Sequence, residues 1–159
     1  MSTPIETVTI ELAGLPATHR LAHRLARMAK PGDVIALLGD LGTGKTEFAR
    51  AFIRTLTDPN EDVPSPTFTL VQTYEGTSGE IWHFDLYRLE SPEDAYELGI
   101  EEAFHDAICL IEWPDRLGPY MPRSRLEIRL SLSKGKNHRQ AVLTPHADWS
   151  ERLRESGHG

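Results

Sequence analysis

The sequence is short of cysteine, since its 159 residues contain a single one, Cys109. A lone thiol cannot form an internal disulfide or a multi-cysteine metal cage, so secreted disulfide scaffolds and zinc fingers are excluded. The sequence also lacks an apolar run of about 18 residues and a basic-then-apolar leader, so it predicts neither a membrane span nor a secretory signal. We therefore expect a cytoplasmic protein with no membrane partner.

Basic residues are also in short supply. The chain has 17 Lys and Arg against 24 Asp and Glu, a net charge of −7 with neutral histidines. This balance opposes passive binding to phosphate backbones, so a direct nucleic-acid partner is not expected. The length predicts one globular domain over residues 1–159, in which about residues 149–159 form a short helix and a frayed tail.

The spacing of apolar residues predicts an α/β fold with a central mixed sheet, flanking helices and β-hairpins. Continuous apolar runs at residues 34–38 and 107–111 are typical of central parallel strands that are covered on both faces. Helical spacing or capping signals predict helices at about residues 16–29, 45–56 and 91–99.

Strict alternation of apolar and polar residues predicts several further strands. They are expected at about residues 8–12, 67–74, 80–87, 126–132 and 140–144. The second and third of these form a predicted hairpin, joined by a loop over residues 75–79 that is slightly longer than the tightest turn. The last two form a second antiparallel hairpin.

The most specific motif is the segment GDLGTGKT at residues 39–46, which fully matches the phosphate-binding pattern GxxxxGK(S/T). It follows an apolar strand and opens a helix, so glycines permit a tight loop whose free amides point at an anion. Lys45 is expected to reach the β- and γ-phosphates and Thr46 to hold Mg²⁺. The candidate nucleotide-binding residues of this loop are Asp40, Leu41, Gly42, Thr43, Gly44, Lys45 and Thr46.

A phosphate-binding loop of this kind needs an acidic side chain at the tip of a neighbouring strand to fix the metal or its waters. Glu112, which follows an apolar run, is the leading candidate. Asp85 is the second, because it lies in an apolar stretch where an unpaired carboxylate is costly. The alternatives are a solvated strand-end acid for Glu112, and for Asp85 a loop cap or a pair with Arg88.

Thr67 lies in a loop that would sit beside the γ-phosphate if this region is a switch, although it is equally suited to start a strand. Trp113 is a candidate for packing near the nucleotide, or for the core or an interface. His83 lies on the same strand face as Asp85. Two such residues are weak evidence for a transition-metal site, so packing or hydrogen bonding is favoured for His83.

Five segments together resemble the TsaE (YjeE) family of small bacterial P-loop ATPases. They are residues 39–46, SPTF at 65–68, HFDLYRL at 83–89, ELG at 97–99 and IEWP at 111–114. This resemblance implies a P-loop NTPase-like α/β fold that uses ATP and Mg²⁺. It also implies that Lys45, Asp85 and Glu112 are catalytic, that Thr46, Glu112 and Asp85 are the metal site, and that Thr67 belongs to a switch-like loop.

The resemblance further implies a role in making threonylcarbamoyladenosine in tRNA, together with the proteins TsaD and TsaB. The ATPase is expected to support repeated turnover of that complex, and tRNA is expected to be reached only through the partners. Slow hydrolysis without the partners follows if they complete the site.

Two other functions remain open at this stage. A small-molecule P-loop kinase would need an arginine lid, for which Arg116, Arg123 and Arg125 are available, although alternation assigns much of that region to a sheet. A nucleotide-gated binding module without useful turnover would keep Lys45 and Thr46 but would not need Glu112. A GTPase is disfavoured because the sequence has no Asn-Lys-x-Asp motif.

Overall fold

The computed structural model describes residues 6–135 and 137–155. The strands are β1 (Val8–Ala13), β2 (Val34–Leu38), β3 (Val71–Gly76), β4 (Gly79–Asp85), β5 (Ile108–Glu112), β6 (Arg125–Leu132) and β7 (His138–His146). The helices are α1 (Leu15–Met28), α2 (Lys45–Leu56), α3 (Pro92–Glu97), α4 (Ile100–Asp106) and α5 (Trp149–Leu153), with a 3₁₀ segment at Pro114–Tyr120.

The seven strands form one mixed sheet in the order β1-β7-β6-β2-β5-β4-β3. Strands β6, β2, β5 and β4 are mutually parallel, whereas β7, β1 and β3 add to the two sides in antiparallel pairs. The predicted mixed α/β fold is confirmed. The two continuous apolar runs, β2 and β5, pair with each other at the centre, as expected for strands covered on both faces.

Two layers of helices cover the sheet. Helices α1, α2 and α5 pack on one face through a large apolar cluster that includes Leu25, Phe48, Phe52 and Trp149. Helices α3 and α4 and the 3₁₀ segment pack on the other face over the β2, β5 and β4 region. None of the helices in the described part of the chain is long and apolar enough to cross a membrane.

The predicted bounds of the first hairpin were wrong at both ends. Strand β3 begins at Val71 because residues 67–70 form turns, with Leu70 in the left-handed region at φ 70°. Strand β4 ends at Asp85 rather than at residue 87. The joining loop is shorter than predicted, because Gly76 pairs with Gly79 and leaves only two residues between the strands.

Three other segments differ from the prediction. Strand β5 begins one residue later than expected and includes Glu112, so this acid lies inside the strand and not beyond it. Strand β7 is longer than residues 140–144. Helix α4 was not predicted: Gly99, in the left-handed region at φ 85°, ends α3 as expected but also begins a second helix.

The C-terminal helix α5 is joined to the rest of the fold by a partly buried ion pair that the sequence did not reveal. Arg152 binds both carboxylate oxygens of Asp33, at 2.7 and 2.8 Å, and also donates to the carbonyl of Met28 at 2.7 Å. Its guanidinium lies 4.0 Å from the centre of the Trp149 ring. The hydrogen bond to Asp33 raises the pKa of Arg152. Residues 156–159 of the expected frayed tail lie outside the described residues.

We expect Arg152→Ala to lower the free energy of unfolding by about 2–3 kcal/mol, because it leaves the buried Asp33 carboxylate without its charged donor. Arg154→Ala is the matched control, since Arg154 is exposed and donates only within its own helix. Urea denaturation followed by circular dichroism measures both changes. Equal stability of the two variants would show that the ion pair does not hold α5 in place.

Candidate functional site

The site lies at one edge of the sheet, where three parallel strands end. In a parallel sheet the carboxyl ends of neighbouring strands lie together. Strand β2 leads into the glycine-rich loop, β4 ends at Asp85 and β5 ends at Glu112. In the register of the sheet, Glu112 is opposite both Leu37 of β2 and Asp85 of β4. Three segments that are distant in sequence are thereby brought together.

The loop between β2 and α2 has a conformation that only glycine adopts easily. Gly39 has φ 137°, and a Cβ atom there would collide with the backbone carbonyl oxygen of Leu130. Gly44 has φ 102° in the left-handed region and directly precedes the first residue of α2. The free N–H groups at the start of this 12-residue helix are therefore available to an anion.

Lys45 is folded back over the loop and is almost completely buried, at 5% exposure. Its ammonium donates to the carbonyl oxygens of Gly39 and Asp40. Burial lowers the pKa of Lys45, and the nearby carboxylates of Glu112 and Asp85 oppose that shift. The ammonium is thus a desolvated cation whose hydrogen bonds go to neutral carbonyl groups, an arrangement that favours exchange for phosphate oxygens.

Glu112 is buried, at 2% exposure, and both of its carboxylate oxygens are hydrogen-bonded. Thr46 Oγ1 donates to Oε1 at 3.0 Å, and His83 Nε2 lies 2.7 Å from Oε2. We assign the Nε2–H tautomer to His83 because that nitrogen faces a carboxylate, while Nδ1 has no hydrogen-bond partner among the described residues. Glu112 is therefore not a solvated strand-end acid, and His83 has the hydrogen-bonding role that was favoured for it.

Asp85 is buried at the end of β4 and joins the segment around Thr67 to the site. Its Oδ2 accepts from Thr67 Oγ1 at 3.1 Å, and its Oδ1 accepts from the backbone N–H of Tyr87 at 3.1 Å. The predicted loop-cap role of Asp85 is thus present beside its place in the site. Arg88 instead stacks on the ring of Phe68, with 4.7 Å between the guanidinium and the ring centre.

Trp113 forms the floor beneath the buried lysine. Its backbone has φ 60° and ψ 52°, a left-handed conformation that is unusual for a bulky residue and typical of functional sites. The Lys45 ammonium lies 4.0 Å from the centre of the Trp113 ring. The ring of Tyr87 packs against the same indole at 4.9 Å.

These side chains line a cavity of about 180 Å³. Its lining residues are Leu41, Gly42, Thr43, Gly44, Lys45, Thr46, Ser65, Thr67, Asp85, Glu112 and Trp113. They include every residue that the sequence analysis assigned to catalysis, nucleotide or Mg²⁺ except Asp40, whose carbonyl instead accepts from Thr43 and Lys45. Arg116, Arg123 and Arg125, the candidates for a kinase lid, are not among them. Leu41 lies at the rim and is 71% exposed.

The oxygen donors of the cavity are of the kind that Mg²⁺ prefers. Thr46 Oγ1 and the carboxylates of Glu112 and Asp85 are hard ligands, and Mg²⁺ binds through one or two carboxylates together with substrate phosphates and water. Among residues 6–135 and 137–155, no group of three or more His, Cys, Asp or Glu side chains is placed to hold a metal by itself. The donor set therefore fits a magnesium ion that is bound together with a phosphate ligand.

A second cavity, of about 670 Å³, lies beside the first and was missed by the sequence analysis. Gly42 and Gly44 line both cavities. The far wall comes from the start of α1, from Asn137 and from Arg139, whose guanidinium lies 3.5 Å from the carbonyl oxygen of Gly42. No motif marks these residues, because they come from two segments that are far apart in sequence and meet beside the glycine-rich loop only in the folded chain.

Comparison with known proteins gives consistent matches over most of the chain. The family model for TsaE, described as threonylcarbamoyl adenosine biosynthesis protein TsaE, matches residues 12–141. A tRNA threonylcarbamoyladenosine biosynthesis protein TsaE from Rickettsia conorii is 40% identical over 134 residues, which cover 84% of this chain and 77% of the relative. A protein of the same name from Bacillus subtilis is 37% identical over 139 residues, covering 87% and 85% of the two chains.

The fold is also similar to a solved structure. The crystal structure of YdiB from Bacillus subtilis superposes with a TM-score of 0.78 at 30% sequence identity. The match covers 97% of this chain and 95% of the other. The similarity therefore includes both the phosphate-binding loop and the outer strands.

We expect His83→Leu to lower the free energy of unfolding by about 1–3 kcal/mol, because one oxygen of the buried Glu112 carboxylate loses its donor. His83→Gln is the matched control, since its amide N–H can donate to the same oxygen. Chemical denaturation of both variants, of Glu112→Leu and of the double variant His83→Leu with Glu112→Leu measures the coupling between the two side chains. If His83→Leu is as stable as the unmodified protein, the hydrogen bond does not position Glu112.

Proposed function

The chain belongs to the TsaE family, whose members are tRNA threonylcarbamoyladenosine biosynthesis proteins, and from this membership we propose that it binds and hydrolyses ATP with Mg²⁺. The observation that carries the proposal is the convergence of a phosphate-binding loop, a buried lysine and two buried carboxylates in one cavity. Such a set is what nucleotide hydrolysis requires.

The loop and the start of α2 bind the phosphates in this proposal. Lys45 leaves the carbonyls of Gly39 and Asp40 and pairs with the β- and γ-phosphate oxygens, which are stronger acceptors because they are charged. The cavity of about 180 Å³ is too small for a whole nucleotide. We therefore place the ribose and base in the neighbouring cavity of about 670 Å³, beside Arg139 and the start of α1.

The two carboxylates have different roles. Glu112 and Thr46, which are hydrogen-bonded to each other, are the residues that would hold magnesium, and magnesium would offset the charge of the phosphates. Asp85 is joined to Thr67, so it lies on the side of the cavity formed by the switch-like segment. We propose that Asp85 orients the attacking water. The water oxygen bonds to the γ-phosphorus while the bond from that phosphorus to the β–γ bridging oxygen breaks.

The rim of the site suggests a role for partner proteins. Leu41, which lines the cavity, is 71% exposed, and Phe68, which follows the lining residue Thr67, is 80% exposed, although both are large apolar residues. Large apolar side chains that are exposed close to a site are available for contact with a partner protein, and contiguous exposed apolar surface is typical of interaction sites. We propose that TsaD and TsaB cover this rim, exclude water and raise a slow basal rate, so that the cytoplasmic ATPase supports repeated rounds of tRNA modification while the complex holds the tRNA.

Lys45→Ala is expected to weaken ATP binding by about 100-fold or more, because it removes a desolvated cation from the phosphate site. The control is Lys134→Ala, which removes an exposed lysine outside both cavities. Isothermal titration with ATP and Mg²⁺ measures both affinities. Unchanged affinity of the Lys45 variant would refute the phosphate-binding assignment.

Asp85→Asn is expected to lower kcat by about 100-fold while leaving ATP affinity near its normal value, since it removes only a water-orienting charge. Glu112→Gln is expected to lower kcat and also to weaken the dependence of the rate on Mg²⁺.

The role of the partners is tested by measuring phosphate release with and without TsaD and TsaB. Equal rates with and without these proteins would contradict the partner role, and phosphate transfer to an added small-molecule acceptor would indicate a kinase.

A further inference from the structure

The charge of the protein is distributed very unevenly. Residues 12–32, which contain the whole of α1, have no Asp or Glu, whereas the chain as a whole has 24. The same segment holds four Lys and Arg and two histidines, so it is positive in a protein whose net charge is −7. The basic residues and histidines are His19, Arg20, His23, Arg24, Arg27 and Lys30. The surface formed by this segment is therefore positive although the net charge of the whole chain is negative.

Helix geometry places five of these six side chains on one face, since Lys30 follows the end of α1. At 3.6 residues per turn, His19, Arg20, His23, Arg24 and Arg27 lie within an arc of about 140°. The opposite side of α1, which includes Leu21 and Leu25, is buried in the core. We call the arc the cationic face of α1. No residue of α1 is Asp or Glu, so no carboxylate of the same helix neutralises this face.

The charges of the cationic face are largely free to bind an anion. Arg20, Arg24 and Arg27 are exposed, and none has a side-chain hydrogen bond or ion pair with another residue that the structure describes. The neighbouring acid from α2 is Glu47, which lies 3.8 Å from His19 but is also engaged by Arg50 at 2.8 Å. The three arginines are therefore unneutralised.

The face borders a cleft between α1 and α2 with a volume of about 400 Å³. His19, His23 and Arg27 line it on one side, and Arg54 and Thr55 line it on the other. No carboxylate is among its described lining residues. Arg54 is oriented by a hydrogen bond from its Nε to the carbonyl of Glu61 at 3.0 Å, which leaves its terminal nitrogens for another acceptor.

The composition of this surface distinguishes between classes of partner. Protein interfaces have cores that are poor in charge and rich in aromatic anchors, and membrane-surface helices expose apolar residues, but the cationic face of α1 has neither feature. Nucleic-acid interfaces are polar and strongly positive. Arginine also binds phosphate in a bidentate manner, and Arg20 and Arg24 are separated by about 6 Å along the helix axis.

We propose that the cationic face and the adjoining cleft bind the sugar–phosphate backbone of RNA, and that the RNA is the tRNA of the proposed function. The choice of tRNA rests on that function, whereas the affinity for RNA phosphates rests on the charge distribution alone. From the net negative charge of the whole chain, the sequence analysis predicted that tRNA is contacted only through partner proteins. A direct contact by α1 adds to that binding and orients the ATPase on the complex.

The test uses the full chain and a fluorescently labelled, unmodified tRNA transcript. One variant combines Arg20→Gln, Arg24→Gln and Arg27→Gln. The control combines Arg123→Gln, Arg129→Gln and Lys134→Gln, which are exposed residues outside α1 and change the net charge equally. Fluorescence anisotropy is recorded without nucleotide between about 50 and 200 mM salt, a range over which phosphate contacts lose most of their affinity.

We expect the α1 variant to bind tRNA at least tenfold more weakly at the lowest salt, with a salt slope lower by about three, one for each phosphate contact. The control variant should change the affinity less than about threefold, since its charges act only at long range. Both variants should retain the unfolding midpoint and the ATP affinity of the unmodified protein, because the substituted residues are exposed and lie outside the site.

Several results would overturn the proposal. One is that the unmodified chain shows no saturable tRNA binding, and another is that both variants lose the same amount of tRNA affinity. A third is that polyglutamate competes with the labelled tRNA as well as unlabelled tRNA does, which would indicate an acidic protein partner. Displacement of tRNA by inorganic phosphate alone would indicate a small-anion site. Lys45→Ala should bind tRNA normally, so a failure of RNA binding and a failure of the ATPase proposal are seen in separate measurements.

Discussion

The hydrogen bonds of the Glu112 carboxylate join the three parts of the site. One oxygen accepts from Thr46 at the start of α2, and the other lies 2.7 Å from His83 of β4. Because Glu112 is buried, each donor offsets part of the cost of removing its charge from water. Helix α2, the strand that carries Asp85 and the central strand β5 are thus held in a fixed relation to one another.

The site combines a rigid interior with an exposed rim. Asp85 and Glu112 are buried and hydrogen-bonded, so their positions are set before any ligand binds, whereas the buried Lys45 moves from carbonyl to phosphate oxygens in the proposed mechanism. Such preorganisation means that little reorganisation is needed when charge develops on a phosphate. Leu41 at the rim and Phe68, next to the lining residue Thr67, are exposed. This contrast suits the proposed ATPase, whose carboxylates are in place but whose site is closed by other proteins.

Local patterns were sufficient to predict the central part of the fold. The apolar run of β2, the glycines of residues 39–46 and the spacing of Phe48 and Phe52 are each determined by short-range rules. Residues 67–70 were misassigned to a strand because β-forming residues there make turns that bring Thr67 to Asp85. Tertiary contacts override propensity at such places.

Features that depend on pairs distant in sequence were not predictable in this way. His83 and Glu112 are 29 residues apart, and Asp33 and Arg152 are 119 apart, so no motif links their members. Arg139 reaches the loop only because the terminal hairpin of the sheet folds beside it.

The most direct test of the account is a crystal structure with Mg²⁺ and a non-hydrolysable ATP analogue. It should show the Lys45 ammonium moved from the carbonyls of Gly39 and Asp40 to phosphate oxygens and Thr46 Oγ1 bound to the metal. A loop that keeps its lysine on those carbonyls, with the analogue bound elsewhere, would contradict it.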